Sequence, residues 1–139
     1  MTTLIRRTWQ LFLYVWALPG TLIGLILVLM SAATNGTVTV RGGVIEAHGG
    51  KLIRYMLRKN RIPFIAITFG HTVVAVNQTA LDITRVHERI HVEQYERWGP
   101  FFIPLYLSCS LIALMRGKNP YRDNMFEREA FDRDYTQAV

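Results

Sequence analysis

From Leu11 to Ala33 the chain reads LFLYVWALPGTLIGLILVLMSAA, 23 residues without a charge. At 1.5 Å per helical residue this run is long enough to cross a hydrocarbon core of about 30 Å, and it restricts the fold more than any other feature. Arg6 and Arg7 before it, with Ser31, Ala32 and Ala33 at its end, are what a cleaved signal peptide would show. The run is longer than a usual signal core, however, so residues 1–33 are read as a retained anchor and the protein as membrane-localised. Pro19-Gly20 at its middle either kinks one spanning helix or turns a re-entrant hairpin of two short helices. Halves of about ten residues could not each span, so the kinked transmembrane helix is the expectation. Gly20 and Gly24 form a GxxxG spacing that would let another helix approach closely.

Half of the 139 residues are hydrophobic and the formal net charge is +6, a pairing suited to an anionic membrane surface. The basic residues form no long run, are not interleaved with exposed-looking aromatics, and belong to no nucleic-acid-binding signature. Membrane lipids are therefore expected as partners and nucleic acid is not. The single cysteine, Cys109, lies in an apolar run, which excludes an intrachain disulfide and a cysteine-based zinc site. The length leaves room for one small domain, residues 34–139.

After the apolar run the pattern changes to period two. TVTVRGGVIEAHGG (Thr37 to Gly50) alternates β-branched residues around Gly42-Gly43, which predicts two short antiparallel strands. In KLIRYMLRKNR the cations Lys51, Arg54 and Arg58 recur at helical spacing, away from most of the apolar residues, which predicts a short basic amphipathic helix. Its basic face suits either solvent or lipid headgroups. Pro63 then opens FIAITFGHTVVAVN, one bulged strand or two strands broken at Gly70 and ending near Asn77. The fold class expected is α+β: an N-terminal transmembrane helix, a small antiparallel sheet, then two or three helices.

RVHERIHVEQYERWG (Arg85 to Gly99) carries the chemistry. Its helix is expected to begin between Thr79 and Thr84 and to stop at Trp98, with Gly99 at C′ and Pro100 beyond. His87 and His91 stand at i and i+4, so both rings project from one face and can reach one zinc ion. Glu88 is turned away from that shell and is placed to take a proton from a metal-activated water, the general-base role in HExxH. A catalytic zinc site needs a third side chain. Downstream, NPYRDNMFEREAFDRD places Glu127 and Glu129 on a helix starting near Asn124, and Glu127 to Ala130 reads ExxA, with the small alanine where two helices could meet closely. Glu127 is the expected third ligand, Glu129 the reserve.

HERIHVEQYERWGPFFIPLYL followed by NPYRDNMFEREAF resembles the gluzincin type of zinc metallopeptidase, and looks most like small bacterial membrane-associated proteins with a minimal gluzincin core. The likeness covers about Ile67 to Phe131. It implies a zincin-like domain with zinc on His87, His91 and Glu127, Glu88 as base and a peptide as substrate. It leaves the transition-state stabiliser open among His71, Tyr95 and Tyr121. Between the motifs, FFIPLYLSCSLIALM (Phe101 to Met115) is uncharged but short of the hydrocarbon thickness. It is expected to be a buried core helix, or one lying partly in the bilayer interface, that lets Glu127 return to the histidines. Two functions follow: a membrane-anchored zinc-dependent peptidase, or a non-catalytic subunit whose N-terminal helix docks onto a larger membrane complex while HExxH holds a structural metal or none.

Overall fold

The computed structural model describes residues 2–59 and 64–138, so Pro63, expected to open the β-rich run, lies outside the described residues. The chain order is α1 (Thr2–Trp16), α2 (Leu18–Ala33), β1 (Thr37–Arg41), β2 (Val44–His48), α3 (Lys51–Lys59), β3 (Ala66–Phe69), β4 (Thr72–Ala75), α4 (Gln78–Trp98), a 3-10 turn (Gly99–Phe101), α5 (Phe102–Met115) and α6 (Met125–Ala138).

The N-terminal apolar run is not one continuous helix. It is divided at Ala17 between α1 and α2, which bend by 71°. Pro19 falls in the first turn of α2, where a missing N–H costs nothing; in a continuous helix its ring would clash with a carbonyl one turn back. The two pieces measure about 22 and 24 Å, each short of a hydrocarbon core of about 30 Å. Of the glycines of the GxxxG spacing, Gly24 faces the β3–β4 hairpin, and Gly20 faces both the hairpin turn and Tyr95 of α4. A Cβ at Gly20 would stand 2.6 Å from the Tyr95 ring, and one at Gly24 2.9 Å from the Phe69 carbonyl oxygen. Among the described residues, the one unbent run long and apolar enough to cross a membrane is Gln78–Met115. Its first part carries Asp82, Arg85, Glu88, Arg89, Glu93, Glu96 and Arg97, and its charge-free part runs from Trp98 to Met115.

The sheet is mixed, not antiparallel throughout. Its order is β1-β2-β4-β3, with β1–β2 and β3–β4 antiparallel and β2–β4 parallel. Parallel neighbours need a crossover of a dozen or more residues, and the stretch holding α3 and β3 supplies it between β2 and β4. The β1–β2 turn is Gly42-Gly43, with φ of 56° and 77°. Both values are the left-handed conformations of a two-residue hairpin turn.

Helices cover both faces of the sheet, so all four residues of β4 are buried. Val73 and Ala75 pack with Leu81 and Val92 on the α4 face, while Val74 packs with Val28, Ile53 and Leu57 of α2 and α3 on the other. A third cluster, Ala17, Tyr95, Phe102 and Phe126, ties the α1–α2 break to α4, α5 and α6. Buried Glu46 on β2 pairs with Arg85 and Arg89 of α4 at 3.2 and 2.6 Å and pins the helix across the sheet. Contrary to the expectation of a buried core helix, α5 is largely exposed, with only Phe102 and Ala113 buried.

Candidate metal centre

Helix α4 starts at Gln78, just ahead of the expected range, because the Asn77 side chain accepts the Ala80 amide at 2.8 Å and caps it. It stops where expected: Gly99 has φ 53° and donates its N–H to the Tyr95 carbonyl. Near its middle, His87 and His91 face α6, whose first turn delivers Glu127. All three are buried. His87 Nε2 and His91 Nε2 are 3.1 Å apart. Glu127 Oε2 lies 3.2 Å from His87 Nε2, and its Oε1 lies 3.4 Å from His91 Nε2. Ligands at 2.0–2.1 Å around a tetrahedral ion sit about 3.3 Å from one another, so these atoms already stand at the edges of such a shell. The three residues form a buried group that could hold a metal ion.

The surroundings set the protonation of the ligands. Gln94, fully buried, donates from Nε2 to the Phe126 carbonyl and to Glu129, both at 3.0 Å. Its Oε1 therefore faces His91 Nδ1 at 2.9 Å and accepts that N–H, which turns His91 Nε2 toward the space an ion would take. The Tyr106 hydroxyl donates to Glu127 Oε1 at 2.6 Å. Burial pushes the Glu127 carboxyl up, but the hydrogen bonds from His87, His91 and Tyr106 outweigh it and hold it at about 2. Burial pulls the His91 imidazole down, and Glu127 overrides it to leave it above its usual value. Nδ1 of His87 is buried with no partner among the described residues.

Glu88 points to the sheet side of the same space. Its Oε2 accepts a 2.6 Å hydrogen bond from the Thr68 hydroxyl of β3. Burial raises its pKa above the usual carboxylate range, against the opposing pull of His91 and Thr68. That direction suits a carboxylate that must take up a proton. Glu88, both histidines and Glu127 line a cavity of about 240 Å³, walled by apolar side chains that include Phe69, Phe102 and Leu107.

Tyr95 and Tyr121 reach this cavity, but His71 does not. His71 sits in the β3–β4 turn, its Nε2 2.9 Å from Glu96 Oε1 and its ring edge-on to Tyr14 of α1. Glu129 is turned out of the shell and pairs with Arg97 at 3.2 Å as well as with Gln94. Ala130 is fully buried in α6, the helix that packs on α4. Gln94, Tyr106 and Thr68 were not among the expected site residues. Only Gln94 left a local trace: three residues after His91, it lies on the same helix face.

Strand β3 forms the cavity's open edge. The Val76 amide donates to the Ile65 carbonyl at 2.9 Å, so by the antiparallel alternation 67–74 and 69–72 are the hydrogen-bonded pairs. The backbone groups of Ala66 and Thr68 therefore point away from β4. Comparison with known proteins gives no matching family model, no matching curated protein and no matching solved structure.

Proposed function

We propose that the chain is a membrane-seated, zinc-dependent peptidase of the gluzincin type. The observation that carries this reading is the convergence of His87 Nε2, His91 Nε2 and the Glu127 carboxylate at 3.1–3.4 Å in a cavity shared with Glu88. Two imidazoles and a carboxylate are a donor set suited to zinc. Zinc, when bound, supplies a Lewis acid that makes water nucleophilic at neutral pH. Glu88, desolvated and steadied by Thr68, takes the proton from that water and returns it to the leaving amine. The Tyr121 hydroxyl, kept protonated by burial and by the charge of Glu127, would donate to the developing oxyanion, and Tyr95 also lines the cavity. A peptide laid along β3 would hydrogen-bond to Ala66 and Thr68 as an added strand.

Membrane seating is supported by the apolar outer surface of the helices: Leu4, Ile5, Trp9, Leu11, Phe12 and Val15 of α1 are each more than half exposed. The same surface also favours a second reading, an accessory subunit docked on a larger membrane complex. The test is metal analysis of the purified chain together with a peptidase assay on the wild type and Glu88→Gln. About one zinc per chain with hydrolysis lost in the variant supports the peptidase. One zinc with no hydrolysis in either protein supports the accessory subunit. No zinc removes both metal readings.

A further inference from the structure

On the face of the sheet opposite the metal centre, α2, α3 and the edge strand enclose a second hollow, of about 460 Å³. This lies within the roughly 300–1,000 Å³ of small-molecule sites. Its walls are apolar, with Ile23 and Leu27 from α2, Met56 and Leu57 from α3, and Ile67 and Phe69 from β3. One end carries different chemistry. Tyr55 and Lys59 line this groove and also a second, shallow depression whose other walls are Arg54 and Arg58. Lys59 Nζ stands 2.7 Å from the Tyr55 hydroxyl, so the ammonium and the phenol meet at the junction.

Among the described residues, the cations of α3 form no ion pair. No carboxylate comes within salt-bridge distance of Lys51, Arg54, Arg58 or Lys59 among the described residues, whereas Arg85, Arg89, Arg97 and Arg133 are all paired. The helix contains no acidic residue. It lies along α2, whose outward residues Leu22, Ile26 and Leu29 are exposed. The surface therefore passes from exposed apolar side chains, through an apolar groove, to unpaired cations, which is the order of chemistry met on leaving a bilayer.

We propose that this groove binds one anionic membrane phospholipid, with an acyl chain along Ile23, Leu27, Met56 and Phe69 and the phosphate on Arg54, Arg58 and Lys59. The two ends are complementary to the two ends of such a molecule and to neither a free anion nor a plain hydrocarbon. Ile67 and Phe69 line both this groove and the metal-site cavity, so a bound lipid packs against the strand that forms the edge of the proposed active site.

The test uses the full chain in neutral detergent, titrated with short-chain phosphatidylglycerol, short-chain phosphatidylcholine, inorganic phosphate or a single-stranded oligonucleotide, with the thermal unfolding midpoint as readout. Phosphatidylglycerol is expected to raise the midpoint at lower concentration than phosphatidylcholine, and phosphate and oligonucleotide to leave it unchanged. Removing cations should weaken the phosphatidylglycerol response about fivefold for each of Arg54→Gln, Arg58→Gln and Lys59→Gln, and roughly a hundredfold for all three together. Met56→Trp, which fills the groove but keeps the charges, should weaken both lipids, and it keeps the inference testable if the triple variant does not fold. Equal responses to the two lipids, or a phosphatidylglycerol response unchanged in the variants, would overturn the proposal. So would a shift produced by phosphate or by the oligonucleotide, since these would make the patch an anion or nucleic-acid site.

Discussion

Replacing Gln94 separates what holds the metal centre together from what the centre binds. Gln94 is fully buried and makes three hydrogen bonds, to His91 Nδ1, the Phe126 carbonyl and Glu129. Gln94→Leu strands the buried His91 N–H and removes a link between α4 and α6, a loss of about 2–4 kcal/mol in the metal-free chain. It also frees His91 to place its proton on Nε2, the atom needed by an ion, and the loss of such an orienting partner costs about 10–100-fold in metal affinity. Gln94→Glu is the control. A carboxylate still accepts from His91 Nδ1 but cannot donate to the Phe126 carbonyl, so zinc affinity should stay near wild type while stability falls. Denaturant unfolding of the metal-free proteins measures the first quantity, and competition with a zinc chelator measures the second. If Gln94→Leu binds zinc as tightly as wild type, either His91 is no ligand or its tautomer is set elsewhere, and the reasoning fails.

Glu88→Gln keeps the shape of the side chain without its basicity, so zinc should be retained and hydrolysis abolished; loss of zinc would make Glu88 a ligand. Glu127→Ala should weaken zinc about as much as His87→Ala, and by more than the roughly 10–100-fold of an outer-shell change, whereas Glu129→Ala should have a smaller effect. The reverse ranking, read from the same chelator competition, would transfer the ligand role to Glu129. His71→Asn should leave zinc affinity and turnover unchanged while lowering the unfolding midpoint, since His71 bonds Glu96 and packs on Tyr14 away from the cavity; a drop in turnover at full stability would return it to the catalytic list.

What the sequence makes legible here is what the backbone settles locally. Four residues of α-helix bring His87 and His91 to one face whatever the rest of the chain does. Gly42-Gly43 closes its hairpin because two adjacent positions need positive φ, and Gly99 ends α4 for a related reason. The ExxA spacing anticipated that Ala130 would be small at a buried helix face, and it is fully buried. Non-local pairing left no such trace. Nothing in β2 or β4 alone says that they run parallel, since the parallel pair depends on how far the intervening α3 and β3 carry the chain. The break at Ala17 precedes the proline that causes it, because Pro19 is accommodated within the first turn of the following helix. His71 looked near the site because its strand precedes the helix bearing His87 and His91, but Gly70 turns the chain there and leaves His71 at the hairpin tip. Tyr106 is hidden for the opposite reason. It sits in an apolar run, and only the return of α6 alongside gives its hydroxyl a carboxylate to hold.

Whether one ion can be shared depends on the side of any membrane from which Glu127 emerges, and α5 decides this. If α5 crossed, the loop bearing Arg116, Lys118, Arg122 and Asp123 would lie on the far side and take α6 with it. The loop instead runs back along α5. The Asn124 amide donates to the Tyr106 carbonyl at 2.9 Å and to the Ser110 hydroxyl at 2.8 Å, and the Lys118 N–H donates to the Ala113 carbonyl at 2.9 Å. At 14 residues α5 is about 21 Å long, short of the hydrocarbon thickness even without those charges beside it. Its free face, where Leu107, Leu111 and Leu114 stand exposed at i, i+4 and i+7, is the apolar surface it would offer to a bilayer. Leu107 also walls the cavity that holds the histidines. Under the proposed seating, the mouth of the site then opens where lipid meets water, and a peptide reaching β3 would arrive along the membrane surface rather than through it.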